Sequence, residues 1–441
     1  MSVRGALPLA AVALLVANAA GAATPPQFPD ARASDPELLG WMRGEPPPPE
    51  RTIAFEDGSY YRFPQSRWSF SHWRELVPTA PISRGGPAAR VHELPRALRS
   101  DLDAVTFTPI GATATMTWAQ SLEANYTDGI VVLHRGRIVY ERYFGALRPD
   151  GQHIAFSVTK SFVGTLAAML VDEGLLDEQA PVTRYLPELR DSAFGDATVR
   201  QVMDMTTAMK FSETYADPAA EIWNFARASG QVPRPPGYSG PRSLPEFLPT
   251  IAPDGAHGRA FAYRSPNAEV LAWLVRRVTG RPLQQVLQER IWQKLGVEQD
   301  AYIQVDPRGN AIGAGGLNLG LRDLARFGEM LRLDGRLGGR QVVPARVVAE
   351  IRRGGDRELF PAGGYHTLPG WSYHDQWWIA HDGHGSFAAR GVHGQAIYVD
   401  PMAEMVIARF GSHPLASNLY LDPTSIPAYR ALAEHLLATR R

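Results

Sequence analysis

Ser157 and Lys160 stand three residues apart in "FSVTKSFVGTLAAML" (156–170), where helical periodicity begins. On a helix such residues stack on one face, a turn apart. A hydroxyl that must lose a proton then lies beside an amine able to take it. Serine is a poor nucleophile until a base deprotonates it, and lysine is a base only when burial keeps it neutral. Phe156, Phe162 and Val163 would supply that burial. A helix N-terminus also favours negative charge building nearby. The plainer alternative is an N-cap serine followed by a snorkelling surface lysine. Lys160, Lys210 and Lys294 are the only lysines among 45 basic residues, which makes an accidental Ser-x-x-Lys infrequent.

Two further stretches could complete the chemistry. Tyr263 opens "YRSPN" (263–267) ahead of a helical pattern, where a phenol could relay a proton towards a leaving group. "AARGVHGQAIYVDP" (388–401) reads as an apolar strand interrupted at Gly391 and Gly394, which permits close approach by a ligand. A backbone N–H there, with that of Ser157, could form an oxyanion hole. His366, His374, His381, His384 and His393 crowd the last third of the chain. Their spacing fits no H-E-x-x-H zinc helix, so solvated loop histidines and no metal are expected. Trp377-Trp378 reads as core packing.

The elements that must position these residues are only partly regular. "DGIVVLHRGRIVYERYFG" (128–145) predicts a hairpin turning at His134-Arg135-Gly136. Helices are expected over about 158–173, 267–280, 282–296, 321–335 and 426–438, and strands around 377–411. The Pro- and Gly-rich run 229–249 should be irregular. Strands at both ends with helices between predict one α+β body. Residues 1–22 read as a secretory signal peptide, with Arg4, an apolar run over 6–17 and Ala20-Gly21-Ala22. Residues 23–125, rich in Pro, Arg and aromatics, read as an extended segment wrapping the main domain of 126–441. With no cysteine, the chain has neither a thiol nucleophile nor a Cys-held metal. Lys plus Arg balances Asp plus Glu at 45 each, and no basic stripe suggests nucleic acid. No later stretch is long enough to span a membrane after signal cleavage. An exported protein, periplasmic or secreted, is expected. Oligomeric state is not set by any of these features.

Ser-x-x-Lys, Tyr-x-Ser and a Gly-bearing strand, in that order, resemble the penicillin-recognising serine hydrolases. The tyrosine lies nearer class C than class A β-lactamases. "RWSFSHWRELVPTAPISRG", "SETYADP", "YRSPN", "GGLNLGLRDLARFG" and "GVHGQAIYVDP" are similar to the 6-aminohexanoate-dimer hydrolase branch. The resemblance implies a β-lactamase-like α+β fold: an antiparallel sheet flanked by helices, a mainly helical region, and a site in the cleft between them. It implies that Ser157 is acylated, Lys160 is its base partner, and Tyr263 relays the proton. The amides of Ser157 and Val392 would form the oxyanion hole. Tyr215 would contact the leaving amide nitrogen, with Asn318, Gly391 and His393 on the substrate side. No cofactor is implied. At 389–391 the chain has Ala-Arg-Gly where β-lactam-binding members have Lys- or His-Thr-Gly, so efficient β-lactamase action is not expected. The expectation is hydrolysis of a small linear amide or ester. Carboxylesterase, D-amino-peptide hydrolase and weak β-lactamase are alternatives of the same class. A non-catalytic ligand-binding protein on this scaffold, or a metal-dependent hydrolase, are alternatives of other classes.

Overall fold

The structure, a computed structural model, describes residues 27–86 and 89–439. The segment read as a signal peptide lies outside them. Two antiparallel sheets are built from β1 (Thr79–Ile82), β2 (Thr127–His134), β3 (Arg137–Tyr143), β4 (His153–Ile154), β5 (Ala301–Gln304) and β6 (Leu317–Leu319). They are completed by β7 (Ser372–His374), β8 (Trp377–Ile379), β9 (Phe387–Gly391), β10 (Gln395–Asp400) and β11 (Met405–Gly411). The larger has seven strands in the order β7-β8-β9-β10-β11-β2-β3, and the smaller four in the order β1-β5-β6-β4. N- and C-terminal strands therefore meet where β2 pairs with β11.

Burial on both faces explains the unbroken apolar run over 130–133 in β2. Val131 and Leu133 face one core, while Ile130 and Val132 face another, as strand alternation requires. The β2–β3 turn places both Arg135 and Gly136 at positive φ, 53° and 74°, the backbone of a two-residue hairpin turn matched to strand twist.

The helices that bear on the site are α1 (Val158–Asp172), α2 (Val199–Met203), α3 (Glu221–Ser229), α4 (Pro266–Thr279), α5 (Leu321–Arg332) and α6 (Asp422–Ala438). Residues of α1, α4 and α5 share the larger core with one sheet face; α6 covers the other. α6 begins four residues before the expected start and contains Pro427. A proline there cannot bond the carbonyl four residues back. That carbonyl, of Pro423, accepts instead from the Ile110 N–H at 2.8 Å, so the helix continues. The expected helix over 282–296 shortens to Leu283–Arg290 followed by one tighter turn, Trp292–Lys294.

Within 27–125, β1 joins the smaller sheet, and Tyr60, Phe70 and Trp73 pack with Ile154 and Phe156 into a separate aromatic cluster. Among the described residues no helix is long and apolar enough to cross a membrane.

Candidate active site

Ser157 caps the N-terminus of α1, yet its hydroxyl makes no capping bond. The oxygen is left for other partners. Lys160, one turn on and 1% exposed, donates from Nζ to Ser157 Oγ at 2.8 Å and to the Ala314 carbonyl at 2.7 Å. Burial among apolar groups disfavours its ammonium form and lowers its pKa from 10.5 to about 8. The snorkelling alternative is thereby excluded. The preceding Phe156 has φ +42°, a costly conformation for a bulky residue. Edge contacts with Phe70 at 4.9 Å and Trp73 at 5.7 Å hold its ring, so packing over-determines the strained turn that presents Ser157.

Tyr263 sits just ahead of α4. Its half-buried ring faces Lys160 Nζ at 5.1 Å and stacks on Trp378 at 5.6 Å. Burial, and then the charge of Glu213, push its pKa well above the ordinary phenol value, while a hydrogen bond with Ser157 opposes them. Tyr263 is thus a neutral phenol beside the Ser157 hydroxyl.

Val392 follows β9 and lines one cavity with Ser157, Lys160 and Tyr215. Its carbonyl accepts from Gln395 Nε2 at 3.1 Å. Among the described residues no hydrogen bond takes the N–H of Val392 or of Ser157. Gly391 explains how the two come together. A Cβ there would lie 2.8 Å from the carbonyl oxygen of Ala155, so only glycine lets the end of β9 lie against the segment leading into Ser157. The close approach is backbone to backbone.

The cavity is about 60 Å³, with Tyr61, Trp73, Phe156, Trp223 and Phe225 among its walls. Tyr215 donates from its hydroxyl to Glu213 Oε1 at 2.9 Å. Glu213 also accepts from the Ser265 hydroxyl at 2.8 Å and the Ser265 N–H at 2.7 Å. This carboxylate raises the pKa values of Lys160, Tyr263 and Tyr215 together. Glu269, on α4 and 3% exposed, accepts from the amides of Gly313 at 3.1 Å and Ala314 at 2.8 Å. It fixes the loop whose carbonyl receives Lys160. Burial raises its own pKa to about 7. Both carboxylates lie inside or next to stretches conspicuous in the sequence, but their roles depend on tertiary approach.

Three residues expected on the substrate side, Asn318, Gly391 and His393, do not line the cavity, and Gly391 serves the close backbone approach instead. Asn318 is fully buried in β6, where its Nδ2 donates to the Gly316 carbonyl at 2.9 Å, and it does not line the cavity. His393 lies one layer behind, with Nδ1 bonded to the His413 carbonyl at 2.6 Å and its ring 5.5 Å from that of Tyr61. Burial lowers its pKa to about 4, so it is neutral there. Arg390 points to the α6 face, paired with Asp422 and lying over Trp378 at 4.9 Å.

The histidines depart from the solvated loops expected of them. His374 and His393 are buried, His384 bonds Asp400 at 2.7 Å, His381 bonds Ser372 at 2.6 Å, and only His366 of the five is exposed. His374 is turned inward by pairing in β7, while His381, His384 and His393 are drawn in by hydrogen bonds to Ser372, Asp400 and the His413 carbonyl. His374 forms with Asp204 and Asp375 the one group among the described residues whose ligand atoms lie close enough for a metal ion. Arg200 already pairs with both carboxylates, filling the role of counter-charge. Trp377 and Trp378 are buried, as core packing requires.

Residues 119–415 match the Beta-lactamase family. The chain is 36% identical over 408 residues to 6-aminohexanoate-dimer hydrolase of Paenarthrobacter ureafaciens, covering 90% of this chain and 96% of that one. A solved Bacillus anthracis structure, provisionally called a 6-aminohexanoate-dimer hydrolase, superposes with TM-score 0.79 at 31% identity, over 88% of this chain and 100% of that one. Esterase EstB of Burkholderia gladioli is 28% identical over 202 residues, 41% of this chain and 48% of that one.

Proposed function

The chain belongs to the Beta-lactamase family, as a hydrolase resembling 6-aminohexanoate-dimer hydrolase, and we propose that it cleaves short linear amides or esters through an acyl-enzyme on Ser157. The observation that carries this reading is the buried Lys160 amine 2.8 Å from a Ser157 hydroxyl that no cap engages. Neutral Lys160 takes the hydroxyl proton as Oγ attacks the carbonyl carbon. Charge that builds on the carbonyl oxygen is met by the free N–H groups of Ser157 and Val392. Tyr263, a neutral phenol, passes a proton to the departing amine or alkoxide and is reprotonated from Lys160. Water then attacks the ester on Ser157, giving its proton back through the same groups and releasing the acid.

Apolar walls favour an unbranched or aromatic acyl chain, and Tyr215 stands at the leaving-group side. Arg390 is committed to Asp422, which supports a preference for linear amides and esters over β-lactams. Export, resting on residues 1–22, belongs to the same reading.

Intact-protein mass after brief exposure to a fluorophosphonate tests both. We expect one adduct on wild type, none on Ser157→Ala and a much slower one on Lys160→Ala. Protein recovered outside the cytoplasm should have the mass of a chain beginning at Ala23. An unreactive folded wild type would replace the hydrolase with the non-catalytic ligand-binding protein. Reactive protein then goes to a panel of linear amides, p-nitrophenyl esters and a cephalosporin.

A further inference from the structure

Across β9, β10 and β11, Arg390 is opposite Ala396, and Ala396 is opposite Arg409. Residues in register share a sheet face. Two arginines therefore flank a small alanine beneath α6, and both are buried, 7% and 2% exposed. Arg390 pairs through Nη2 with Asp422, but its Nη1 has no partner. Arg409 donates from Nη1 to the Tyr429 hydroxyl at 3.2 Å, while its Nε and Nη2 have none. Asp422 is the one carboxylate among the described residues lining the cavity that both arginines enter. Two cations thus share one counter-charge.

Burying an uncompensated ion is among the costliest arrangements in a protein. Water could satisfy the free donors but would leave the charge. An anion does both. The cavity has about 20 Å³, the room of one water or one small ion. Tyr429, having accepted from Arg409, keeps its own proton to donate. We propose that the pocket between Arg390 and Arg409 binds one monovalent anion of the halide class, beneath the turn that carries Val392. Gly394, at φ +97°, lies so close to Arg409 that a Cβ there would overlap Nη2. The anion therefore braces the guanidinium against which the Val392–Gly394 turn rests. Binding there stands whether or not Ser157 is a nucleophile.

The test uses the whole protein in sodium gluconate exchanged stepwise for bromide at constant ionic strength. Melting temperature should rise with the logarithm of bromide, by about 3 °C per hundredfold above the dissociation constant. Crystals grown in bromide should show anomalous density between Arg390 and Arg409. Arg409→Met should lose the response. Should it fail to fold, Ala396→Asp supplies a tethered carboxylate between the arginines and should fold without any bromide response. Equal melting in gluconate and bromide, bromide density only at the surface, or a wild-type response in Ala396→Asp would overturn the site and leave water in the pocket.

Discussion

At the residue scale the free energy of one proton decides whether Ser157 can act. Burial lowers the Lys160 pKa to about 8, so about one molecule in ten carries the neutral amine at pH 7. Because the proposed base acts only when deprotonated, kcat/KM should climb about tenfold per pH unit below 8 and level off above it. A pH–rate profile on an ester substrate measures this. A limb above pH 10 instead would transfer the base role to Tyr263, whose pKa lies well above the ordinary phenol value. Glu269 sharpens the assignment. Its negative charge holds the Lys160 pKa up, so Glu269→Gln should move the limb to lower pH while kcat/KM on the plateau falls through loss of loop order. A merely structural glutamate would lower the plateau and leave the limb in place. Ser157, Lys160 and Tyr263 were legible in the sequence because helical spacing and chain order carry their relation. Glu269 was not, because its partners, Gly313 and Ala314, are more than forty residues away and meet it only in the folded chain.

At the element scale, α1 is held where a helix is usually weak. Glycine inside a helix costs ~0.5–1 kcal/mol relative to alanine, so propensity alone says Gly164→Ala should stabilise. The fold says the opposite. A Cβ at Gly164 would overlap the Asp375 carbonyl oxygen, on the turn between β7 and β8. That turn has Asp375 and Gln376 at φ 50° and 65°, and the Gln376 carbonyl accepts from Ser161 at 2.7 Å. The obstacle is backbone pinned from both sides, so overpacking should dominate by ~1–3 kcal/mol. Thermal denaturation of Gly164→Ala is therefore expected to show a lowered melting temperature. Gly328 on α5 makes the comparison, since its Cβ would meet side-chain methyls of Val406 and Ile397 at 2.6 and 2.8 Å, a smaller overlap than with the Asp375 backbone, and should cost less. A Gly164→Ala variant at or above wild-type stability would show that α1 is not wedged against this turn. The hairpin of β2 and β3 was legible because its turn and alternation are local. The start of α6 was not, since it depends on an N–H from Ile110, over three hundred residues earlier.

At the scale of the whole molecule, we propose that the N-terminal segment, described over 27–86 and from 89 on, is a wrap belonging to the body that follows. Arg67 and Asp128 make a buried pair at 3.3 Å, each side chain 1% exposed. Arg67 also donates to the Ala31 carbonyl at 2.7 Å and to Ser34 at 3.2 Å, while the other Asp128 oxygen lies 3.3 Å from His153 Nε2. One charge cluster thereby joins the N-terminal segment, β2 of the larger sheet and β4 of the smaller, four residues before Ser157. Further on, Trp73 bonds Gln304 at 3.0 Å and lines the cavity, so the wrap shapes the site as well as covering it. Removing one member of a buried pair costs ~3–5 kcal/mol, mostly because the other is left charged and alone. Arg67→Met should lose about that much in urea denaturation. Adding Asp128→Asn removes the stranded carboxylate, and the double variant should regain most of the loss. If it regains none, the cost of Arg67→Met is lost packing around the guanidinium stem, and the clamp between wrap and sheets is not electrostatic. Recovery, with the fluorophosphonate rate falling in Arg67→Met and returning alongside stability, would tie the N-terminal segment to the geometry that presents Ser157.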